Sequence, residues 1–297
     1  MLRVYDDFPL KYFNAHQRVP RMIFPYPCPY AKYCRLSIAC CPAYAEFDEE
    51  GFPLECYVYH VLRSVDEWFK LRNIYLPALN RSLRHLLAAL KEESNALREV
   101  VIDEVVKISL TLHDIGKLTP YYQRQEHGYQ WWILGMYLAP EVTITYCRSA
   151  LREDPTIARL LSLISFLGIS SGREYLVRGW LEEGNSLSYV CKKAGLPSDK
   201  ICLHPLTTRI YNIVRHYAGF KENPFENLKL EYPTMKVVKY ICYLSSLVDE
   251  EFDQRTWLLL RGATGVFSHI LSECEQAVVD SYKVSEARLE KFKLELP

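Results

Sequence analysis

Apolar residues recur along most of this chain at intervals of three and four, the period of helices with one buried face. The clearest case is Glu99–Leu112, where Val101, Val105, Ile108 and Leu112 follow one another at spacings of four, three and four. Upstream, Tyr57, Val61, Val65 and Trp68 form a second stripe with His60 at its margin, and a polar-faced helix is expected over 76–90. There His85 stands among Arg81, Arg84 and Lys91 and reads as a solvated residue. Pro120 is expected to close the helical run. Beyond it His127, Trp131, Leu134 and Leu138 repeat the four-three-four spacing, which places His127 at the N-terminal end of an inward-facing helix.

The second half reads the same way. Ile157, Leu160, Ile164 and Leu167 predict a buried helix that stops at the Ser170-Ser171-Gly172 turn. From Pro205 and Thr207 a helix with Ile210, Ile213 and Val214 inward carries His216 and closes at Gly219. Pro233-Thr234 opens another, with Val238, Ile241, Leu244 and Val248 inward and Asp249 immediately after. One or two amphipathic helices run from Trp257 through Phe267, Ile270, Cys274 and Val278, ahead of a charged tail expected to fray over 286–297. Strand-type alternation is scarce, so the expected fold is all-α.

Two stretches depart from the helical period. Residues 1–55 are rich in proline, tyrosine and cysteine and read as an irregular N-terminal extension to a helical domain over 56–297. In the extension Cys28, Cys34 and Cys40 are separated by five residues each, with Cys41 and Cys56 following. Such a set could hold zinc or an iron–sulfur cluster at Cys28, Cys34, Cys40 and Cys56, but the Cys-x2-Cys knuckle that pre-organises these sites is missing, and buried thiols or disulfides remain open. The pattern weakens again near 170–205, which reads as an insertion in the helical core.

Candidate chemistry concentrates at Leu112-His113-Asp114-Ile115-Gly116-Lys117, where the buried face of the Glu99–Leu112 helix ends. An imidazole beside a carboxylate on a rigid element can bind a divalent metal, and Asp114 keeps a second oxygen for another ion. Gly116 would let a ligand or a second backbone come close. Lys117, three residues past Asp114, can reach an anionic oxygen on the same helical side. These parts suit hydrolysis of a phosphate ester, with Asp114 and Lys117 as the catalytic candidates.

The hexapeptide closing a hydrophobic helix resembles the signature of the HD superfamily of metal-dependent phosphohydrolases, whose fold is a helical bundle. The order His60, His113-Asp114, His127 and a late Asp249 is similar, over about residues 56 to 255, to the stand-alone HD nuclease of type I CRISPR interference systems, which in archaea works with a separate helicase polypeptide. That resemblance implies metal ligation by His60, His113, Asp114, His127, His216 and Asp249, with one or two ions of manganese, nickel, cobalt or iron. It also implies single-stranded DNA as substrate, exposed by a CRISPR target-recognition complex. The family's His-His pair has two possible registers here: Ser165-Phe166-Leu167-Gly168, which has lost both histidines, or His216-Tyr217, which keeps one after a long insertion.

Charge narrows the field. Thirty-six basic and thirty-six acidic side chains balance, with a pI near 7.1, so no global basic field draws nucleic acid; Arg124, Arg173 and Arg178 could steer a strand locally. No glycine-rich phosphate loop occurs, which excludes a nucleotide-driven motor of its own. No apolar run approaches a membrane span and Met1 to Leu10 is unlike a signal peptide, so a cytoplasmic location is expected. A nucleotide phosphohydrolase with a closed pocket and a non-catalytic HD scaffold are the rival readings.

Overall fold

A computed structural model describes residues 29–34, 44–47, 53–92, 97–250 and 252–294, with the backbone alone at 31, 44, 46, 53–54, 248–250 and 282–294. Cys28, Cys40 and Cys41 lie outside these residues, as does most of the extension. Within it a single turn of helix, α1 (Ala31–Cys34), precedes a hairpin of β1 (Tyr44–Phe47) and β2 (Pro53–Cys56), in which Tyr44 pairs with Cys56 and Phe47 with Pro53. The hairpin leads directly into α2 (Tyr57–Ala89), then α3 (Glu99–Leu112). A 3-10 turn over Ile115–Leu118 and the single-turn α4 (Pro120–Gln123) follow, ahead of α5 (Trp132–Ser149) and α6 (Pro155–Ser170). Next come α7 (Arg173–Gly184), α8 (Leu187–Lys193), β3 (Lys200–Cys202), α9 (Thr207–Ala218), β4 (Glu231–Pro233), α10 (Thr234–Glu250) and α11 (Gln254–Leu294). Among the described residues the fold is all-α apart from two small antiparallel pairs, β1 with β2 and β3 with β4. No single helix among the described residues is long and apolar enough to cross a membrane.

The periodicity locates α3 at the centre. Val101, Val105, Ile108 and Leu112 are all fully buried, and α3 packs against α2, α5, α6 and α11 together. The long helices α2 and α11 lie along each other, closing one side of the bundle. Three boundaries differ from the sequence reading for local reasons. Helix α2 runs unbroken through Pro77, because Leu79, Leu83, Leu86 and Leu87 continue its buried side and offset the lost backbone bond. Pro120 opens α4 instead of ending a helix: Thr119 caps it by accepting from the Tyr122 amide, the first-turn position where a missing N–H costs nothing. The region 170–205 is more regular than expected, since α7 and α8 form there, with Glu174 and Val177 as the buried residues of α7.

Two glycines set how closely α3 and α5 meet. A Cβ on Gly116 would stand 1.9 Å from the Trp131 carbonyl oxygen, and one on Gly135 2.1 Å from the His113 carbonyl oxygen. The backbone carrying the His-Asp pair is therefore clamped against the start of α5 by main-chain contact on both sides. At α6, Gly168 likewise gives way to the Phe267 ring of α11, which a Cβ would meet at 2.3 Å.

Gly116→Ala is expected to cost about 3 kcal/mol or more by overpacking. Gly262→Ala, on an open face of α11 where nothing lies within 4 Å, should gain ~0.5 kcal/mol. Urea unfolding of the two variants checks both signs.

Candidate metal centre

The end of α3 delivers two side chains to one point. His113 is the C-cap residue of α3 and Asp114 the next, where the backbone leaves the helix for the 3-10 turn. From α2, one turn past the hairpin, His60 approaches; from α11 comes Glu275. One potential ligand atom from each of His60, His113, Asp114 and Glu275 lies within 4.8 Å of every other, and such a group could hold a metal ion.

The distances show how the four converge. His60 Nε2 lies 3.0 Å from an Asp114 oxygen and 3.0 Å from Glu275 Oε1, while His113 Nε2 lies 2.7 Å from the same Glu275 oxygen. The far ring nitrogens are occupied by the protein. His60 Nδ1 donates to Glu55 Oε1 at 3.0 Å, and His113 Nδ1 donates to the Leu110 carbonyl at 2.8 Å. Both imidazoles thus turn Nε2 inward, the arrangement by which an outer carboxylate or carbonyl sets the tautomer of a metal-binding histidine. His60 and Asp114 are buried, and Glu275, about one-third exposed, lies on the open side. His60 Nε2 and both Asp114 oxygens make no hydrogen bond of good geometry, although all three are buried. Buried polar atoms left in this way need a partner, and a cation at their common focus supplies one. The residues therefore fit a divalent ion: two imidazoles and two carboxylates, a set that suits transition metals better than magnesium.

The electrostatics of the metal-free cluster agree. Burial by itself would lower the pKa of His60, but the charges of Glu275 and Glu55, with the Asp114 and Glu275 oxygens close to Nε2, raise it well above the usual value. His113 is raised too, burial being outweighed by Asp114 and Glu275. In return Asp114, against burial, is held low by His113, Lys117 and His60, and Glu275 is held low by the two histidines. Lys117 is also buried, with Nζ 2.8 Å from an Asp114 oxygen and 4.6 Å from the centre of the Trp131 ring. Its ammonium thus touches the Asp114 carboxylate itself.

The structure brings His60, His113 and Asp114 together, with Lys117 beside them, and does not bring the other candidates. His127 is exposed in the turn before α5. Helical spacing alone placed it on that helix, but Gly128 adopts φ +84° and the Gln130 amide bonds to the Ala194 carbonyl at the end of α8, so α5 begins only at Trp132. His216 is exposed on α9. Of the two registers for the histidine pair, Ser165 is buried and shares a hydrogen bond with Ser109 at 2.7 Å, which seats that part of α6 in the core. The side chain of Asp249 lies outside the described residues. The late carboxylate in the cluster, Glu275, was not among the sequence candidates, nor was Glu55 behind His60. Glu275 follows Leu271 by one helical turn and adjoins the fully buried Cys274, a carboxylate at the edge of a buried stripe that could have marked it.

No family model matches this sequence, and no curated protein matches it. Among solved structures the chain is similar to the CRISPR-associated Cas3 HD domain protein from Methanocaldococcus jannaschii. The TM-score is 0.46 at 18% identity, over 73% of this chain and 95% of that one. What bears on chemistry is the cluster and the hexapeptide that builds half of it.

Metal binding must expel the protons that the raised histidines carry. Affinity for manganese or nickel should therefore rise with pH through neutrality until the raised values are passed, and a calorimetric titration should show proton release. The same protons stabilise the metal-free fold below the unfolded histidine pKa of about 6.5; that contribution is lost as pH rises through the folded values. Glu55→Gln is expected to weaken metal affinity by roughly 10-fold, measured by competition with a chromophoric chelator.

Proposed function

We propose that this chain is an HD-type metal-dependent phosphodiesterase that cuts single-stranded DNA. The observation that carries the reading is the convergence of His60, His113, Asp114 and Glu275 on one buried focus at the end of a Leu-His-Asp-Ile-Gly-Lys helix. Among the described residues one such group forms, so the proposal has a single ion held by these four side chains. When bound, an ion of this kind supplies Lewis acidity to a phosphoryl oxygen and lowers the pKa of a water.

The chain's own residues set up the rest. Glu55 and the Leu110 carbonyl hold the two imidazoles with Nε2 inward. Lys117 offsets the charge of Asp114 and can do the same for charge that develops on a phosphate oxygen bound nearby. The partial exposure of Glu275 leaves the focus open on one side, as a polymeric substrate requires. In a CRISPR interference setting a separate helicase and a target-recognition complex would present the displaced strand, consistent with the absence of a phosphate loop in this sequence.

Purified protein loaded with manganese or nickel is expected to cut a labelled single-stranded DNA, and Asp114→Ala to lose the activity. Hydrolysis of free nucleotides without cleavage of DNA would replace this reading with a nucleotide phosphohydrolase. Inactivity on both, with no metal taken up, would leave a scaffold.

A further inference from the structure

Helix α11 connects the metal cluster to a second chemical feature. Trp257, Arg261, Ser268 and Glu275 fall along one stripe of the helix, at spacings of four, seven and seven. Arg261 and Glu275 are thus about 21 Å apart along the axis at 1.5 Å per residue. Before it reaches the cluster this stripe faces α7 and the end of α6: Arg261 Nη1 bonds Glu174 Oε1 at 3.0 Å, and Ser268 bonds Ser171 at 2.8 Å. At the far end the Arg261 guanidinium lies 4.9 Å from the Tyr175 ring and 5.2 Å from the Trp257 ring. Tyr175 is nevertheless 48% exposed. Nearer the cluster, exposed Arg173 at the start of α7 lies 5.9 Å from the Trp131 ring, which in turn lies beneath Lys117, the contact of Asp114.

The seam from Tyr175 to Glu275 therefore carries ring–cation pairs at its far end, around Arg261, and beside the cluster, at Arg173 and Trp131, with Ser268 and Ser171 between. Its charge is cancelled only in part. Arg261 is paired with the buried Glu174, whereas Arg173 has no carboxylate partner among the described residues. The exposed Tyr175 ring and the half-buried Trp257, with Arg173 uncompensated and Arg261 keeping the cationic edge not used by Glu174, offer π-faces for bases and positive charge for phosphates. That combination holds single strands without reading sequence. We propose that this seam seats a single-stranded nucleic acid, with bases stacked on Tyr175 and Trp257 and phosphates drawn by Arg173 and Arg261, leading the strand to the metal cluster. That the strand is the substrate rests on the hydrolase reading; that it binds does not.

The test is fluorescence anisotropy of a labelled oligothymidylate with the full chain in excess chelator, so that neither metal nor cleavage enters. Wild type should bind with an affinity that falls as salt rises. Arg173→Gln, at an exposed position without an ion pair, should weaken binding and flatten the salt dependence. Tyr175→Leu should weaken it roughly 10-fold, the scale of one lost base stack, while Tyr175→Phe, which keeps the ring and removes the hydroxyl, should bind as wild type does. The proposal is overturned if Tyr175→Leu binds normally, if Tyr175→Phe fails as badly as Tyr175→Leu, or if wild type prefers duplex. A failure of the hydrolase reading would appear separately, as metal-loaded wild type that binds the oligonucleotide and leaves it intact.

Discussion

A carboxylate buried as deeply as Asp114 stays ionised only where positive charge surrounds it. Here His60, His113 and Lys117 do so, and Glu275 balances the two histidines from the opposite helix. Remove any one of them and the others are left charged in a low-dielectric interior, so the four-residue focus is a mutual dependency and not a sum of pairs. The ion that such a focus can hold takes over the role that protons fill without it.

That dependency constrains the fold around it. The cluster draws on α2, α3 and α11, so these three helices must meet at one level, and they do so because the fully buried face of α3 packs against both long helices. The angle of the His-Asp backbone is fixed from the other side by α5, through main-chain contacts that tolerate only glycine at 116 and 135. On α11 the same helix that supplies Glu275 continues to Phe267, which fills the space left by Gly168, and on to the arginine-aromatic rim beside α7. The cluster and the arginine-aromatic rim therefore share a single helix.

Much of this was legible in order along the chain. The four-three-four spacing of α3 located its buried face, the hexapeptide marked two of the four residues that converge at its end, and Gly116 was read as a point of close backbone approach. His60 was found through the family resemblance, which calls for a histidine on an upstream helix, at the margin of an apolar stripe. Other parts depended on information that spacing does not carry. His127 has the same spacing as an inward helical residue, but a left-handed glycine one residue later and a tie to α8 hold it in an exposed turn. Glu275 and Glu55 look locally like solvated acids; Glu275 joins the cluster because α11 returns to α2 more than two hundred residues later, and Glu55 because the β1–β2 hairpin turns it back onto His60. The role of Pro120 turned on whether the helix before it had already ended.

The proposed centre joins four side chains, one of them Glu275, around one ion. The most direct measurement is the metal content of the chain after loading with manganese or nickel and dialysis, beside that of Glu275→Ala. One equivalent in the wild type, with most of it lost in the variant, is the predicted result. Two equivalents in the wild type, or full retention without Glu275, would contradict it.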